Sequence, residues 1–251
     1  MQARIVAAAR GAQWLLDGWR LFRQAPVAWF VVSLVFLLIT QLLTAIPLIG
    51  PVVSAILIPA MTLGLMACAR ASSHGSRINV GLLFDGLRNE GRRQLLLGCA
   101  YAAAWTIVFG LVMWMDDAGV LLATLRGQGD STGGEEALLL SAVLAALYLP
   151  IALLFWYAPP LVSWHGAPVS KALFFSLVAC CLNWRAFAAY AIATVVSVVV
   201  PGLFVMLAMK MMGSPPNPWQ VAPLFLIFVL PPVFASYYAS YRDVFGYDPA
   251  P

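Results

Sequence analysis

The amino-acid sequence predicts an all-α, polytopic integral membrane protein with six transmembrane helices. The 251-residue chain is 63% hydrophobic and only 10% charged, with a mean hydropathy of +0.90, whereas a soluble domain has about 25% charged residues. Its few charges are also bunched, and long uncharged stretches separate the bunches. Because such a chain has too little charge to cover itself in water, it needs lipid as its solvent.

The uncharged stretches give the spans in chain order. The stretch between Arg23 and Arg70 is long enough for two crossings of about 20 residues each, with a Pro- and Gly-containing turn at 47–51. Each later stretch accommodates one crossing, and the fourth span ends at Pro159-Pro160. The prediction is a single membrane domain over 1–251, with a cytoplasmic amphipathic segment at 1–26 and spans at about 27–46, 51–69, 95–115, 137–158, 186–209 and 220–240.

The basic residues are strongly biased toward one side of the predicted membrane. With six spans the two termini share a side, and all but two of the 14 Lys and Arg residues lie there, Arg126 and Lys210 being the exceptions. Short loops rich in Lys and Arg resist translocation, so both termini are predicted to be cytoplasmic. The acidic, glycine-rich connection 116–136 is then the main extracytoplasmic loop.

Residues 3–23 are too charged to span a membrane but form an amphipathic helix. Its apolar stripe consists of Ile5, Ala9, Ala12, Leu16 and Trp19, its polar face of Arg10, Gln13, Asp17 and Arg20, and Trp14 and Leu21 break the pattern. Two interpretations stay open. The helix lies along the cytoplasmic interface with its arginines near lipid phosphates, or it packs on the protein's own spans.

Similar segments precede the third and fifth spans, at 78–90 and 168–182. The layout therefore predicts three repeats of an interfacial helix followed by a helical hairpin. An alternative stays open: unrelated helical hairpins that all carry positive charge on the cytoplasmic side would have the same layout without being repeats.

Three segments carry a resemblance to a known family: Gly18-Trp19-Arg20-Leu21-Phe22-Arg23, Pro47-Leu48-Ile49-Gly50-Pro51 and Tyr237-Tyr238-Ala239-Ser240-Tyr241-Arg242-Asp243-Val244-Phe245. On these the chain resembles a family of uncharacterised proteobacterial inner-membrane proteins, whose layout is similar to the membrane domain found beside bacterial glycerophosphodiester phosphodiesterases. The resemblance implies a multi-pass location in the bacterial inner membrane. It supplies no catalytic residues.

The sequence offers little chemistry. The four cysteines and two histidines have no metal-ligand spacing, so no metal site and no cofactor are predicted, and the thiols are interpreted as packing residues. The pair Asp116-Asp117 at the outer end of the third span is interpreted as a solvated boundary marker. The net charge of +4 does not favour nucleic acid, because the arginines are not interleaved with stacking aromatics. The protein is predicted not to be an enzyme.

The interiors of the predicted spans contain no Asp, Glu, Lys, Arg or His, which argues against ion-driven transport. Their polar residues can hydrogen-bond between helices or line a polar pocket, and the candidates are Gln41, Thr106, Thr194 and Ser197. Prolines within several spans indicate static kinks, or else the broken helices of a transporter.

Two functional hypotheses follow. The preferred one is a non-enzymatic inner-membrane protein that organises lipid or partner proteins. It binds anionic phospholipid through interfacial residues, namely Arg10, Arg20, Arg23, Arg92, Arg93, Trp184 and Arg185. The alternative is a transporter or permease for an uncharged or lipid-like solute, with a cavity bounded by spans four to six. A protein partner or a homo-oligomer is compatible with either hypothesis.

Overall fold

The computed structural model describes residues 3–116, 119–120, 123, 134–213 and 218–246, and the regular elements in those ranges are all helical. This confirms the all-α prediction. The α-helices are α1 (Ala8–Gln24), α2 (Pro26–Thr44), α3 (Ile49–Ser73), α4 (Asp85–Met115), α5 (Gly134–Trp156), α6 (Ala158–His165), α7 (Val169–Leu182), α8 (Trp184–Met211) and α9 (Pro218–Phe245), and a 3-10 helix (Val80–Phe84) precedes α4.

Five helical segments in the described residues are long and apolar enough to cross a membrane: Pro26–Thr44, Ile49–Ser73, Val80–Met115, Glu135–His165 and Trp184–Met211. The predicted sixth span, 220–240, falls within α9, and its side chains up to residue 227 lie outside the described residues. So do Asp117, Asp130 and most of the predicted outer loop. The number of crossings stays a prediction.

Helix α5 ends at Trp156, close to the predicted end of the fourth span at about 158. The chain bends at Tyr157, and Pro159 and Pro160 then occupy the first turn of α6. A proline is tolerated there because the first-turn N–H groups have no partner within the helix. The apolar helical stretch as a whole continues to His165, about two helical turns further.

The core lies at one end of the bundle, which we call the packed end. There the starts of α2 and α8 meet the ends of α3, α5 and α9, around fully buried aromatic side chains such as Trp14, Trp29, Tyr157, Tyr238 and Tyr241. In α8 only Ala186 and Tyr190 are buried, both near its start. The opposite end, which we call the open end, exposes Leu, Ile, Val and Phe side chains, as expected for surfaces that face lipid.

Helix α1 packs on the protein's own helices, as the second interpretation of this segment expects. Gly11 abuts the backbone of Ala186 in α8, and Gly18 abuts the backbone of Pro232 and Ser236 in α9, so closely that a Cβ at either glycine would overlap them. The predicted stripe faces outward instead, with Ile5 73%, Leu16 55% and Trp19 45% exposed.

The pattern-breaking residues Trp14 and Leu21 are the buried ones, together with Gly11, Gly18 and Phe22. A hydrophobicity pattern does not reveal this packing face, because it gives glycine no weight, whereas close approach of two helix backbones depends on glycine. The outward stripe leaves α1 with two apolar faces, one on the protein and one exposed.

The two ends of the described chain meet at the packed end. The Arg4 backbone N–H donates to the Val244 carbonyl at 2.7 Å. Asn183, 2% exposed at the junction of α7 and α8, accepts from the Val6 N–H at 2.8 Å and donates to the Arg4 carbonyl at 3.0 Å. The segment before α1 is therefore tied to α8 and α9.

The segments predicted to repeat differ in form. Residues 78–90 contain the 3-10 helix and the first turns of α4, with a break in the helical backbone at Glu90, whereas 168–182 contains the 14-residue helix α7. The threefold repeat stays a prediction.

Candidate functional site

The arginines predicted to meet lipid headgroups differ in how far they are engaged within the protein. Arg10 lies in an ion-pair network: its Nη2 is 2.5 Å from Asp243 Oδ2 and 3.3 Å from Asp17 Oδ2. Arg20 pairs with Asp17 at 2.7 Å but remains mostly exposed, and Arg23 is exposed. Arg10 therefore joins helices, while Arg20 and Arg23 are open to ligands.

The remaining predicted headgroup contacts lie on α4 and α8. Arg92 is exposed, whereas Arg93 reaches Glu90 and the Gly166 carbonyl, both at 3.4 Å. Trp184 and Arg185 open α8; both are exposed, and the guanidinium carbon of Arg185 lies 5.5 Å from the centre of the Trp184 ring. The predicted residues are thus spread over three helices.

A groove of about 600 Å³ begins at Trp184 and runs between α5, α7, α8 and α9. This volume is within the roughly 300–1,000 Å³ that ligand sites occupy. Along α8 the lining residues recur at three- and four-residue spacing and so form one helix face: Trp184, Phe187, Ala188, Tyr190, Ala191, Thr194 and Val195. The alanines in this face and Ala152 of α5 leave the space that larger side chains would fill.

Aromatic contacts hold one wall of this groove in place. Trp156 of α5 stacks on Tyr237 of α9, with ring centres 4.1 Å apart, and meets Phe187 of α8 edge-on at 5.3 Å. Because the three rings come from three helices, the wall couples their positions. Among the described residues the lining is almost wholly apolar and contains no charged residue, and the nearest cation in sequence is Arg185, beside the lining residue Trp184.

Adjacent cysteines sit on the groove in different environments. Cys180 is buried, its Sγ lies 3.6 Å from the Leu153 carbonyl, and burial raises the pKa of its thiol well above the usual range. Cys181 is exposed. The packing interpretation therefore holds for Cys180 and for the buried Cys68, whereas Cys99 and Cys181 are exposed free thiols.

The four predicted intramembrane polar residues do not converge. Thr194 and Ser197 donate to carbonyls of their own helix, at Tyr190 and Thr194, both at 2.8 Å, a local bond typical of Ser and Thr in helices. Gln41 and Thr106 are exposed on α2 and α4. Of the four, only Thr194 lines the groove.

Interhelical hydrogen bonds are made instead by residues that the sequence analysis did not single out. The hydroxyls of Tyr101 and Tyr148 are 2.8 Å apart, those of Tyr190 and Ser236 are 2.7 Å apart, and the Gln94 amide donates to the Pro159 carbonyl at 2.8 Å. A tyrosine within a predicted span was the available signal, because a buried phenol needs a hydrogen-bond partner.

Metal ligands and acidic catalysts do not assemble in the described part of the chain, where no group of three or more His, Cys, Asp or Glu side chains could hold an ion. Asp116 is buried, so its interpretation as a solvated residue is wrong, and it accepts a hydrogen bond from the Val120 N–H at 2.8 Å. Its sequence neighbour Asp117 lies outside the described residues.

The long apolar helices define the chain as a multi-pass helical membrane protein. A probable inner membrane protein of Burkholderia thailandensis is 33% identical to it over 256 residues, which cover 98% of this chain and 94% of the relative. The chain belongs to the family of that protein and is an inner-membrane protein. No protein-family model and no solved structure matches it.

Proposed function

We propose that this protein is a non-enzymatic membrane protein that binds anionic phospholipid in the groove between α5, α7, α8 and α9 and thereby organises lipid around its packed end. The observation that carries the proposal is an apolar groove with a cation beside one of its lining residues. Apolar walls accept an acyl chain, and Arg185, which follows the lining residue Trp184 and is exposed, offers a guanidinium for the phosphate.

Trp184 supports the placement of this part of the groove at the membrane surface. Its ring is exposed and carries Arg185 over one face, and tryptophan is enriched at the level of the lipid headgroups. The exposed stripe of α1, with Arg20 and Arg23, offers a second surface to the same headgroup layer.

In this proposal the chain crosses the membrane six times, and both termini lie in the cytoplasm. The hydrogen bond between Arg4 and Val244 supports an even number, since residues that touch lie on one side of the membrane. Five crossing segments in the described residues become six when α9 is counted, and α9 has 28 residues. The bias of Lys and Arg toward the terminal side supports the cytoplasmic orientation.

Native mass spectrometry of the detergent-purified protein tests the lipid proposal. We expect phosphatidylglycerol to be retained. Arg185→Ala should lower its retention about 3- to 10-fold, a modest factor because an exposed arginine is partly screened by solvent. Ala191→Trp, which fills the groove, should remove the lipid. Lys210→Ala is the matched control, because it removes a cation from the far end of the same helix. Unchanged retention in Ala191→Trp would refute the proposal.

A transporter for a lipid-like solute is the second candidate. The groove lies among helices of the predicted spans four to six, where this hypothesis placed its cavity, and Pro150 and Pro201 interrupt the hydrogen bonding of α5 and α8. Proteoliposomes containing a fluorescent phosphatidylglycerol separate the two candidates. Movement of the label between leaflets would favour transport, and retention without movement favours lipid binding alone.

A further inference from the structure

A second cavity, separate from the lipid groove, lies between α3, α4 and α5 near the turn that joins α2 to α3. Its volume is about 520 Å³, and Thr44 and Pro51 mark the end near the turn. Tyr101 of α4 and Tyr148 of α5 also line it, and we call it the tyrosine chamber. None of its lining residues is charged.

The Tyr101 and Tyr148 hydroxyls form the polar centre of the tyrosine chamber. They lie 2.8 Å apart, so one donates to the other. Only one of the two hydroxyl hydrogens is used in that bond, and among the described residues neither hydroxyl has another hydrogen-bond partner. The pair therefore retains one donor for a molecule in the chamber.

The walls around this pair are mostly apolar. The Trp105 ring meets the Tyr148 ring edge-on at 5.3 Å, and Ala55, Ile58 and Leu144 are among the apolar lining residues. The other hydroxyl groups in the lining belong to Thr44, Ser54 and Ser141. An adjoining space of about 80 Å³, shared through Ile58, Tyr101 and Tyr148, is large enough only for a few waters at about 30 Å³ each. A larger molecule would therefore stop at the tyrosine pair.

We propose that the tyrosine chamber binds a neutral, lipophilic molecule that carries a hydrogen-bond acceptor oxygen on a flat ring, as a quinone does. A charged ligand is disfavoured because no lining residue compensates its charge in an apolar site. A purely apolar ligand leaves the spare phenol donor unpaired, and a buried unpaired donor is costly. A ring with a carbonyl oxygen satisfies the donor and packs on Trp105 and Tyr148.

Three probes of matched chain length test the ligand class on the full-length protein in lipid nanodiscs. Decylubiquinone carries the ring and acceptor, decylbenzene carries the ring without an acceptor, and decanoate carries a negative charge. We expect saturable binding of decylubiquinone, at least tenfold weaker binding of decylbenzene and no chamber binding of decanoate. Equal affinity for decylubiquinone and decylbenzene would overturn the assignment.

Variants of the lining residues test whether decylubiquinone binds in the tyrosine chamber. The double variant Tyr101→Phe and Tyr148→Phe keeps both rings, and we expect it to bind decylubiquinone about 3- to 10-fold more weakly. Ala145→Phe fills the chamber and should abolish saturable binding. Thr106→Val alters an exposed residue of α4 outside the chamber and serves as the matched control. Decylubiquinone affinity that is unchanged in Ala145→Phe, with an unchanged melting temperature, would refute the proposal.

The proposals for the lipid groove and for the tyrosine chamber can be refuted independently of each other. Phosphatidylglycerol retention measured on the same samples reports on the groove between α5, α7, α8 and α9, whose lining residues are not changed by these variants. Loss of decylubiquinone binding with full lipid retention is the expected outcome for Ala145→Phe. Loss of both would mean that the variant disturbs the bundle, and the double phenylalanine variant, which preserves volume, then decides the question.

Discussion

Arg10 near the start of the chain forms an ion pair with Asp243 near its end, with Nε donating to Oδ2 at 2.7 Å. The indole N–H of Trp14 donates to the same oxygen at 2.8 Å. One carboxylate of α9 therefore holds two side chains of α1. Together with the close approach at Gly18, this pair fixes α1 on the last helix of the bundle.

Replacing Asp243 with alanine should lower stability by about 1–2 kcal/mol. It removes the acceptor of both Arg10 and Trp14, and the loss is smaller than for a fully buried pair because the Arg10 side chain is about a third exposed. The melting temperature should fall by about 2–8 °C at the roughly 2–4 °C per kcal/mol of a chain this long. Arg23→Ala, at an exposed site, should change it little, and equal effects of the two variants would contradict the assignment.

Gly18→Ala should destabilise the protein by about 1–3 kcal/mol, even though alanine favours helices. The added methyl overlaps the Pro232 carbonyl, which is backbone and cannot turn away. Gly110→Ala in α4 is the matched control, since nothing lies within 4 Å of the position its Cβ would take. In thermal unfolding, Gly18→Ala should lower the melting temperature and Gly110→Ala should raise it. An unchanged melting temperature in Gly18→Ala would mean that α1 does not pack closely on α9.

Asn183→Ala should release the segment before α1. The side chain of Asn183 binds both Val6 and Arg4, and losing these bonds leaves backbone groups unpaired at a cost of about 1–3 kcal/mol. Trypsin should then cleave after Arg4 faster than in the parent protein, as mass spectrometry of the fragments can measure. Asn89→Ala, which removes only an exposed bond to Asp85, should leave the cleavage rate unchanged.

Maleimide labelling should separate Cys180 from Cys181. The thiolate is the reactive form, and because burial raises the pKa of Cys180, its thiol stays protonated from pH 7 to 9 and should remain unlabelled. The exposed Cys181 should react, and added phosphatidylglycerol should slow that reaction if lipid occupies the groove. Peptide mapping of Cys180→Ala and Cys181→Ala identifies the labelled site. Equal labelling of both thiols would contradict the described burial.

Reporter fusions test the orientation. Green fluorescent protein should fluoresce at either terminus, and alkaline phosphatase inserted into the 116–136 connection should be active, because it folds only outside the cytoplasm. Active phosphatase at the C-terminus with a fluorescent N-terminus would require an odd number of crossings. That result would conflict with the contact between Arg4 and Val244.

The sequence was informative about helices and much less so about how they meet. Gaps between charges located α2, α3 and α8 because a span in lipid must be long and apolar. The same gaps carry no information on which helix face packs, since lipid-facing and protein-facing side chains are equally apolar. The groove depends on Ala152, Ala188 and Ala191 from two helices, and no one-dimensional pattern brings them together.

Hydrogen bonding between helices depends on side-chain length. The hydroxyls of Thr194 and Ser197 donate within their own helix, although Thr194 also lines the groove. Tyrosine is long enough to reach a neighbouring helix, as Tyr101 reaches Tyr148. Side-chain length, more than polarity, therefore decides whether a hydroxyl bonds within its own helix or to a neighbouring helix.

The packing of α1 on α8 and α9 also determines when α1 can reach its final position during synthesis. Gly11 and Gly18 rest on α8 and α9, which leave the ribosome after α1. At about 5–20 residues per second, α1 must wait on the order of 10 s or longer for the surfaces that bury Trp14 and Leu21. Its final position is therefore reached only after α8 and α9 have been made.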